Sequence, residues 1–143
     1  MLEELKVGKV ILGKQGENSE QYQKFSNIVQ KKDITVVVMK MGNIINIEKG
    51  VRIKILFPDD KLIDENVLNN NSIVAMLEYK EIDMLLTGDI EKIAEQKLLK
   101  IYSSNELKAD ILKLPHHRFK NFKFRGIFKS GFSYNCFNRS WKK

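Results

Sequence analysis

The sequence contains very few residues of the kinds that form disulfides or thiolate metal sites. Cys136 is the only cysteine in 143 residues, so an internal disulfide and a thiolate-rich zinc site are both excluded. The only histidines are His116 and His117, and the ligands of a metal site in this chain would have to be His, Asp or Glu. A single domain is the expectation for a chain of this length.

Long apolar runs are also lacking. No run approaches the roughly 18 residues that a membrane helix requires. The N-terminal residues MLEELKVGK carry acidic side chains where a signal peptide has a basic region, and no apolar core follows them. We therefore expect a globular, cytoplasmic type of chain with no membrane span.

Acidic residues are absent from the C-terminal end. Residues 1–117 carry 17 Lys and Arg against 18 Asp and Glu, whereas residues 118–143 carry 8 basic residues and no acid. The second range also holds 8 of the 13 aromatic residues. We therefore predict a folded unit over 1–117 and a basic, aromatic, poorly ordered tail over 118–143. Such a tail is typical of single-strand nucleic-acid binders.

Hydrophobic patterning predicts an α/β (α+β) fold, a mixed sheet flanked by helices. The pattern predicts a short strand at 9–12, an amphipathic helix capped by Asn18 or Ser19, and a β-branched strand of the buried kind at 34–40. Residues 43–58 read as two strands joined by a turn at 49–50, and an acidic, Asn-rich loop follows over 59–71.

The elements predicted after residue 71 lead up to the histidine pair. A hairpin is predicted over 72–79 and 82–89, followed at once by a helix that begins at Ile90. Helical spacing places four side chains of this helix on its exposed face: Glu91, Lys92, Glu95 and Lys100. A last short strand is predicted over 109–115.

Three places could carry chemistry, and each has a plainer explanation. Asp89 follows a buried strand, from which a carboxylate can reach a cleft, but Asp is also a favoured N-cap residue. His116 and His117 follow a strand and could ligate a metal, with at most one ligating a given ion, or they could have surface or packing roles. The segment 69–72 is most simply a turn, because Asn hydrogen-bonds its own backbone.

Two stretches of sequence resemble a known family. The order "NNNSIVAMLEYKEIDMLLTGDIEKIAEQKLL" and then "LKADILKLPHH" is similar to the second half of the metallo-β-lactamase-like hydrolase domain of ComEC-type DNA-uptake (competence) proteins. The resemblance extends from about Lys6 to His117. It implies the C-terminal half of an αββα sandwich.

The resemblance also implies roles for individual residues. Asp89 would be a catalytic, metal-bridging aspartate, and His116 or His117 would complete the shell of a divalent metal, zinc or manganese. The cleft would be lined by Asn71, Ser72, Thr87 and Gly88. The implied reaction is attack of metal-activated water on a phosphodiester, in DNA or in a small molecule.

The family's main metal motif is not found in this sequence. That motif is a histidine-rich loop that precedes the region equivalent to Lys6, and the chain has no histidine before His116. Two metals need around six or more protein ligands, and this chain offers two or three. We therefore expect a fragment that is inactive alone, that binds metal weakly or not at all, and that could self-associate through an incomplete core or the tail.

The sequence departs from the family directly after His117. The family continues with Gly-Ser, whereas this chain continues with Arg118 and Phe119. If residues 118–124 are encoded AGG TTC AAA AAC TTC AAA TTC, deleting the first A yields Gly-Ser-Lys-Thr-Ser-Asn-Ser. The sequence therefore predicts a frameshift after His117. Two alternatives are a stand-alone hydrolase of the same superfamily and a non-catalytic nucleic-acid-binding module that uses the tail.

Overall fold

A computed structural model describes residues 4–14 and 19–115 of the chain. In these ranges it contains seven strands and three helices: β1 (Lys9–Gly13), α1 (Glu20–Lys31), β2 (Thr35–Met39), β3 (Ile44–Glu48), β4 (Val51–Phe57), α2 (Val67–Asn70), β5 (Val74–Tyr79), β6 (Ile82–Leu86), α3 (Lys92–Ile101) and β7 (Ile111–Lys113). The predicted α+β class with a mixed sheet is confirmed. The division at 117 stays a prediction, because residues 116–143 lie outside the described ranges.

The first unit is a parallel β1–α1–β2 arrangement. Helix α1 begins where predicted, because the Ser19 hydroxyl caps it by accepting a hydrogen bond from the Tyr22 N–H at 3.1 Å. Val29 and Ile34 are buried, and β1 pairs with β2 in parallel register.

Strand β2 lies where the sequence predicts it, but its predicted burial is wrong. Val36 is 38% exposed and Val38 is 60% exposed. Parallel strands normally have both faces covered. Within the described residues β2 pairs with β1 alone, so its β-branched side chains remain open to solvent.

The second unit is a five-stranded sheet in the order β3-β4-β5-β6-β7. Its first four strands are antiparallel neighbours, which confirms both predicted hairpins, and β7 runs parallel to β6. The turn between β3 and β4 contains Gly50, whose φ of +83° lies in the left-handed region that glycine adopts readily.

The hydrophobic core lies on one face of this sheet, where α3 packs. Its largest fully buried residues include Phe57, Leu85, Leu98 and Leu107. Two expectations about α3 are wrong: the helix begins at Lys92 rather than Ile90, and Glu95 is only 2% exposed. Helical spacing places Glu95 beside the polar residues along the chain, but the tertiary packing buries that part of the helix.

The opposite face of the sheet is apolar as well. Register aligns Leu77 with Met84 and then Ile111 in one row, and Tyr79 with Ile82 in the next. These five side chains are half-buried or exposed. Sheets bury their apolar faces against a second layer in most domains, so this face is suited to such a layer. No helix within 4–14 and 19–115 is long and apolar enough to cross a membrane.

Candidate functional site

The candidate site lies at the edge where strands β6 and β7 end together. The two strands are parallel, and their last registered pair is Leu86 with Lys113. Because parallel strands point the same way, their carboxyl ends meet at one edge. The chain continues there as Thr87-Gly88-Asp89 after β6 and as Leu114-Pro115 after β7.

Thr87 holds the two strand ends together. It is fully buried, its hydroxyl donates to the Lys113 carbonyl at 2.8 Å, and its N–H donates to the same carbonyl at 3.4 Å. A hydroxyl buried in a core needs such a partner. Thr87 therefore sets the relative position of the two chain segments that leave the edge.

Gly88 brings a third segment to this edge. Its φ is +58°, and a Cβ placed there would lie 2.8 Å from the Ser72 Cβ and 2.9 Å from the Ile73 carbonyl oxygen. Only glycine allows this close approach without strain. The Ser72 hydroxyl donates to the Leu68 carbonyl at 3.2 Å, which anchors the segment before β5. Three of the predicted cleft residues, Ser72, Thr87 and Gly88, therefore lie together.

Asp89 is half-buried and lies in the turn between β6 and α3. The alternative that Asp89 caps the helix is wrong, because the N-cap residue of α3 is Glu91. The structure does not test the catalytic and metal-ligand roles of Asp89, which stay predictions.

Asn70 is a residue whose role the sequence reasoning missed. Its side-chain oxygen accepts a hydrogen bond from the Glu91 N–H at 3.1 Å, and its amide donates to the Glu65 carbonyl at 2.7 Å. It is fully buried. The available signal was the run of three Asn residues directly before a buried strand, which is unusual for a simple surface turn.

Asn71 organises the loop before β5. Its side chain accepts from the Ile63 N–H at 2.9 Å and donates to the carbonyls of Ile63 at 2.9 Å and Val67 at 2.8 Å. The residue is fully buried. The turn predicted at 69–72 is wrong in part, because its first two residues belong to α2, and the local hydrogen bonds of Asn71 are made by a buried amide.

The metal ligands predicted at His116 and His117 lie outside the described residues. Within 4–14 and 19–115, no group of three or more His, Cys, Asp or Glu side chains is placed to hold a metal ion. The described part of the edge therefore supplies Asp89 as a candidate ligand, and the chain reaches Pro115, one residue before His116, at the same edge.

Charged side chains lie close to this edge, around the start of the 59–71 loop. Asp60 accepts from Lys40 Nζ through both carboxylate oxygens at 2.8 Å and from Lys14 Nζ at 3.5 Å. The hydrogen bond from Lys40 is the main reason why the pKa of Asp60 lies below its usual value. Next to it, Lys97 of α3 binds Asp59 at 2.6 Å and lies over the Phe57 ring.

A polar hollow occupies the opposite end of strands β5 and β6. Its volume is about 530 Å³, and it is lined in part by Arg52, Glu78, Lys80 and Asp83. Partial burial works to raise the pKa of Glu78, but hydrogen bonds from Lys54 and Arg52 outweigh it and lower that pKa. The hollow is separated from Asp89 by the length of the strands, so it is not part of the candidate site.

Comparisons with known proteins find a similarity to a ComE operon protein. The chain is 28% identical over 117 residues to ComE operon protein 3 of Bacillus subtilis (strain 168), which covers 82% of this chain. The aligned part is 14% of that protein, so this chain corresponds to a small portion of its relative. No family model matches the chain.

Proposed function

We propose that this chain is part of a metal-dependent hydrolase domain of the metallo-β-lactamase type, associated with DNA uptake and directed at phosphodiesters. Asp89 is the metal-bridging and catalytic carboxylate in this proposal, and His116 or His117 is the later metal ligand. The similarity to a ComE operon protein supports the association with DNA uptake.

The observation that carries the proposal is the shared edge of β6 and β7. Asp89 is three residues beyond Leu86, and His116 is three residues beyond Lys113, the partner of Leu86 in the register. The register therefore aligns the two chain segments that leave the sheet toward Asp89 and toward His116, which supports a shared site. The two hydrogen bonds from Thr87 to Lys113 support that alignment.

The donor set suits zinc or manganese in kind, because both accept imidazole nitrogen and carboxylate oxygen. When bound, such a metal would activate a water molecule for attack on a phosphodiester at neutral pH. The number of donors is insufficient for a two-metal centre in one copy of the chain, since the only histidines are 116 and 117. We propose that further ligands come from polypeptide outside residues 1–143.

The apolar second face of the sheet supports the proposal that this chain is only part of a domain. The row formed by Leu77, Met84 and Ile111 would be covered in a complete αββα sandwich by a second sheet. The exposed Val36 and Val38 of β2 are explained in the same way. The fragment would then lack both a packing layer and the metal ligands that this layer carries.

Metal analysis tests the proposal directly. For the 143-residue chain we expect less than stoichiometric zinc or manganese and no turnover of a generic phosphodiester. In a longer product that carries the missing ligands, Asp89→Asn should abolish metal-dependent turnover. Asp33→Asn is a matched control, because Asp33 is exposed, has a φ of +49° that Asn tolerates, and lies at the end of α1. Equal activity of the two variants would refute the role of Asp89.

The departure from the family after His117 has its own test. We propose that residues 118–143 are read out of frame, which accounts for the recovered Gly-Ser-Lys-Thr-Ser continuation. Nucleotide sequencing of independent isolates checks this. An intact frame through His117 and Arg118 in all of them would contradict the frameshift without affecting the proposal for Asp89.

A further inference from the structure

Two glycines, Gly13 and Gly88, bring the chain segments before Lys14 and before Asp89 to the same residue, Ile73. A Cβ at Gly13, the last residue of β1, would lie 3.2 Å from a side-chain carbon of Ile73. A Cβ at Gly88 would lie 2.9 Å from the carbonyl oxygen of the same Ile73. The next residues along the chain are Lys14 and Asp89, so each of them directly follows a glycine that approaches Ile73.

Lys14 is joined there by Lys40, which follows β2. Both ammonium groups bind one oxygen of Asp60, Lys40 at 2.8 Å and Lys14 at 3.5 Å. Both lysine side chains are about half exposed, at 48% and 46%. Two cations share a single carboxylate, so the cluster retains a net positive charge. An ammonium has three N–H donors, so each lysine can bind another anion in addition to Asp60.

We propose that Lys14 and Lys40 form a phosphate-binding shelf that holds a DNA strand beside Asp89. This inference rests on the proposed phosphodiester hydrolase function and names the macromolecule that its site receives. Lysines contact phosphate oxygens without reading sequence, so the shelf positions the strand and does not select bases.

The placement of the shelf favours a polyanion over a small ester. Lys14 follows the end of β1 and Asp89 follows the end of β6, and the glycine before each of them approaches Ile73. A ligand at Asp89 would therefore extend past Ile73 to reach the lysines. A DNA strand carries a phosphate at every nucleotide and can make both contacts, whereas a small phosphodiester has one phosphate group.

The test compares two double substitutions in the full chain. Lys14→Gln with Lys40→Gln removes the shelf. Lys24→Gln with Lys31→Gln removes the same charge from α1, where Lys24 already pairs with Glu20 and Lys31 lies in the last turn. Because the net charge of the two variants is equal, binding by the basic residues of 118–143 contributes equally to both.

Binding is measured by fluorescence anisotropy with a labelled oligothymidylate of roughly 16 nucleotides. Between about 50 and 200 mM salt, the slope of log K against log salt should be shallower by about 1.4 for the shelf variant, because each lost phosphate contact contributes about 0.7. Its affinity at the lowest salt should fall on the order of tenfold. The α1 variant should keep the original slope. Equal losses in the two variants would overturn the shelf.

Asp60→Asn provides a second test with the opposite sign. It removes the anion that competes for both lysines, so the affinity for the oligonucleotide should rise. A fall in affinity would mean that Asp60 acts by holding the lysines in place, and would contradict the proposal. Binding to the shelf needs no metal, so the two proposals can fail separately. If the shelf variant binds DNA normally but Asp89→Asn abolishes turnover, only the shelf is refuted. If the shelf variant binds DNA more weakly but Asp89→Asn leaves turnover unchanged, only the hydrolase is refuted.

Discussion

Replacing Gly88 by alanine should destabilise the candidate edge far more than replacing Gly50. Both glycines have positive φ, +58° and +83°, so alanine pays a left-handed backbone cost of about 1–2 kcal/mol at either position. At Gly50 the added methyl meets nothing within 4 Å. At Gly88 it would lie 2.8 Å from the Ser72 Cβ and 2.9 Å from the Ile73 carbonyl oxygen, which adds about 1–3 kcal/mol for overpacking.

Urea unfolding followed by circular dichroism measures this difference. We expect a loss of about 2–5 kcal/mol for Gly88→Ala and about 1–2 kcal/mol for Gly50→Ala. Total stabilities of about 5–15 kcal/mol leave room for the larger loss in most domains. Ser72→Gly in the Gly88→Ala background removes one clashing carbon and should restore part of the stability. Equal losses for the two glycines, or no coupling between 72 and 88, would refute the close approach.

Three further predictions concern Asn71, Thr87 and Glu78. Asn71→Ala should lower the free energy of unfolding by about 2–4 kcal/mol, because it leaves buried backbone groups of the 63–71 loop without partners. As a control, Asn69→Ala should change this free energy little in the same urea titration. Thr87→Val should cost about 1–2 kcal/mol by removing the hydroxyl that donates to Lys113, and hydrogen exchange at β7 should rise. Because the pKa of Glu78 is lowered on folding, the ionised Glu78 stabilises the folded state at pH values above its unfolded pKa. This stabilisation is lost as the pH falls through the folded pKa. Glu78→Gln should therefore flatten the dependence of the urea midpoint on pH below about 5, and an unchanged profile would contradict that shift.

Much of the fold could be predicted because strand and turn signals are local. The alternation over β4, the apolar runs of β5 and β6, and the turns at 49–50 and 80–81 all depend on neighbours in the chain. The α1 N-cap was predicted for the same reason, because Ser19 binds the N–H of a residue three positions later. Asp89 could be singled out from its position after a buried strand, and Ser72, Thr87 and Gly88 from the family resemblance, whereas the hydrogen bonds of Asn70 at this edge could not.

The burial of a side chain and the meeting of separate strand ends, by contrast, depend on residues far away along the chain. Val38 lies in a β-branched run that is typical of a buried strand. It is nevertheless exposed, because within the described residues no second layer covers β2. Glu95 has the spacing of an exposed helix position and is buried by the packing of α3 on the sheet.

The sequence by itself determined the elements of this protein and the residue types that follow them: a Thr-Gly-Asp strand end, and a later strand that leads to the only two histidines of the sequence. Only the tertiary structure decided which of these ends meet. The parallel pairing of β6 with β7 brings Asp89 and Pro115 to one edge, and the close approaches of Gly13 and Gly88 bring β1 and the turn after β6 to the same residue, Ile73. Such meetings depend on register and on close backbone approach across the sheet, which no local pattern encodes.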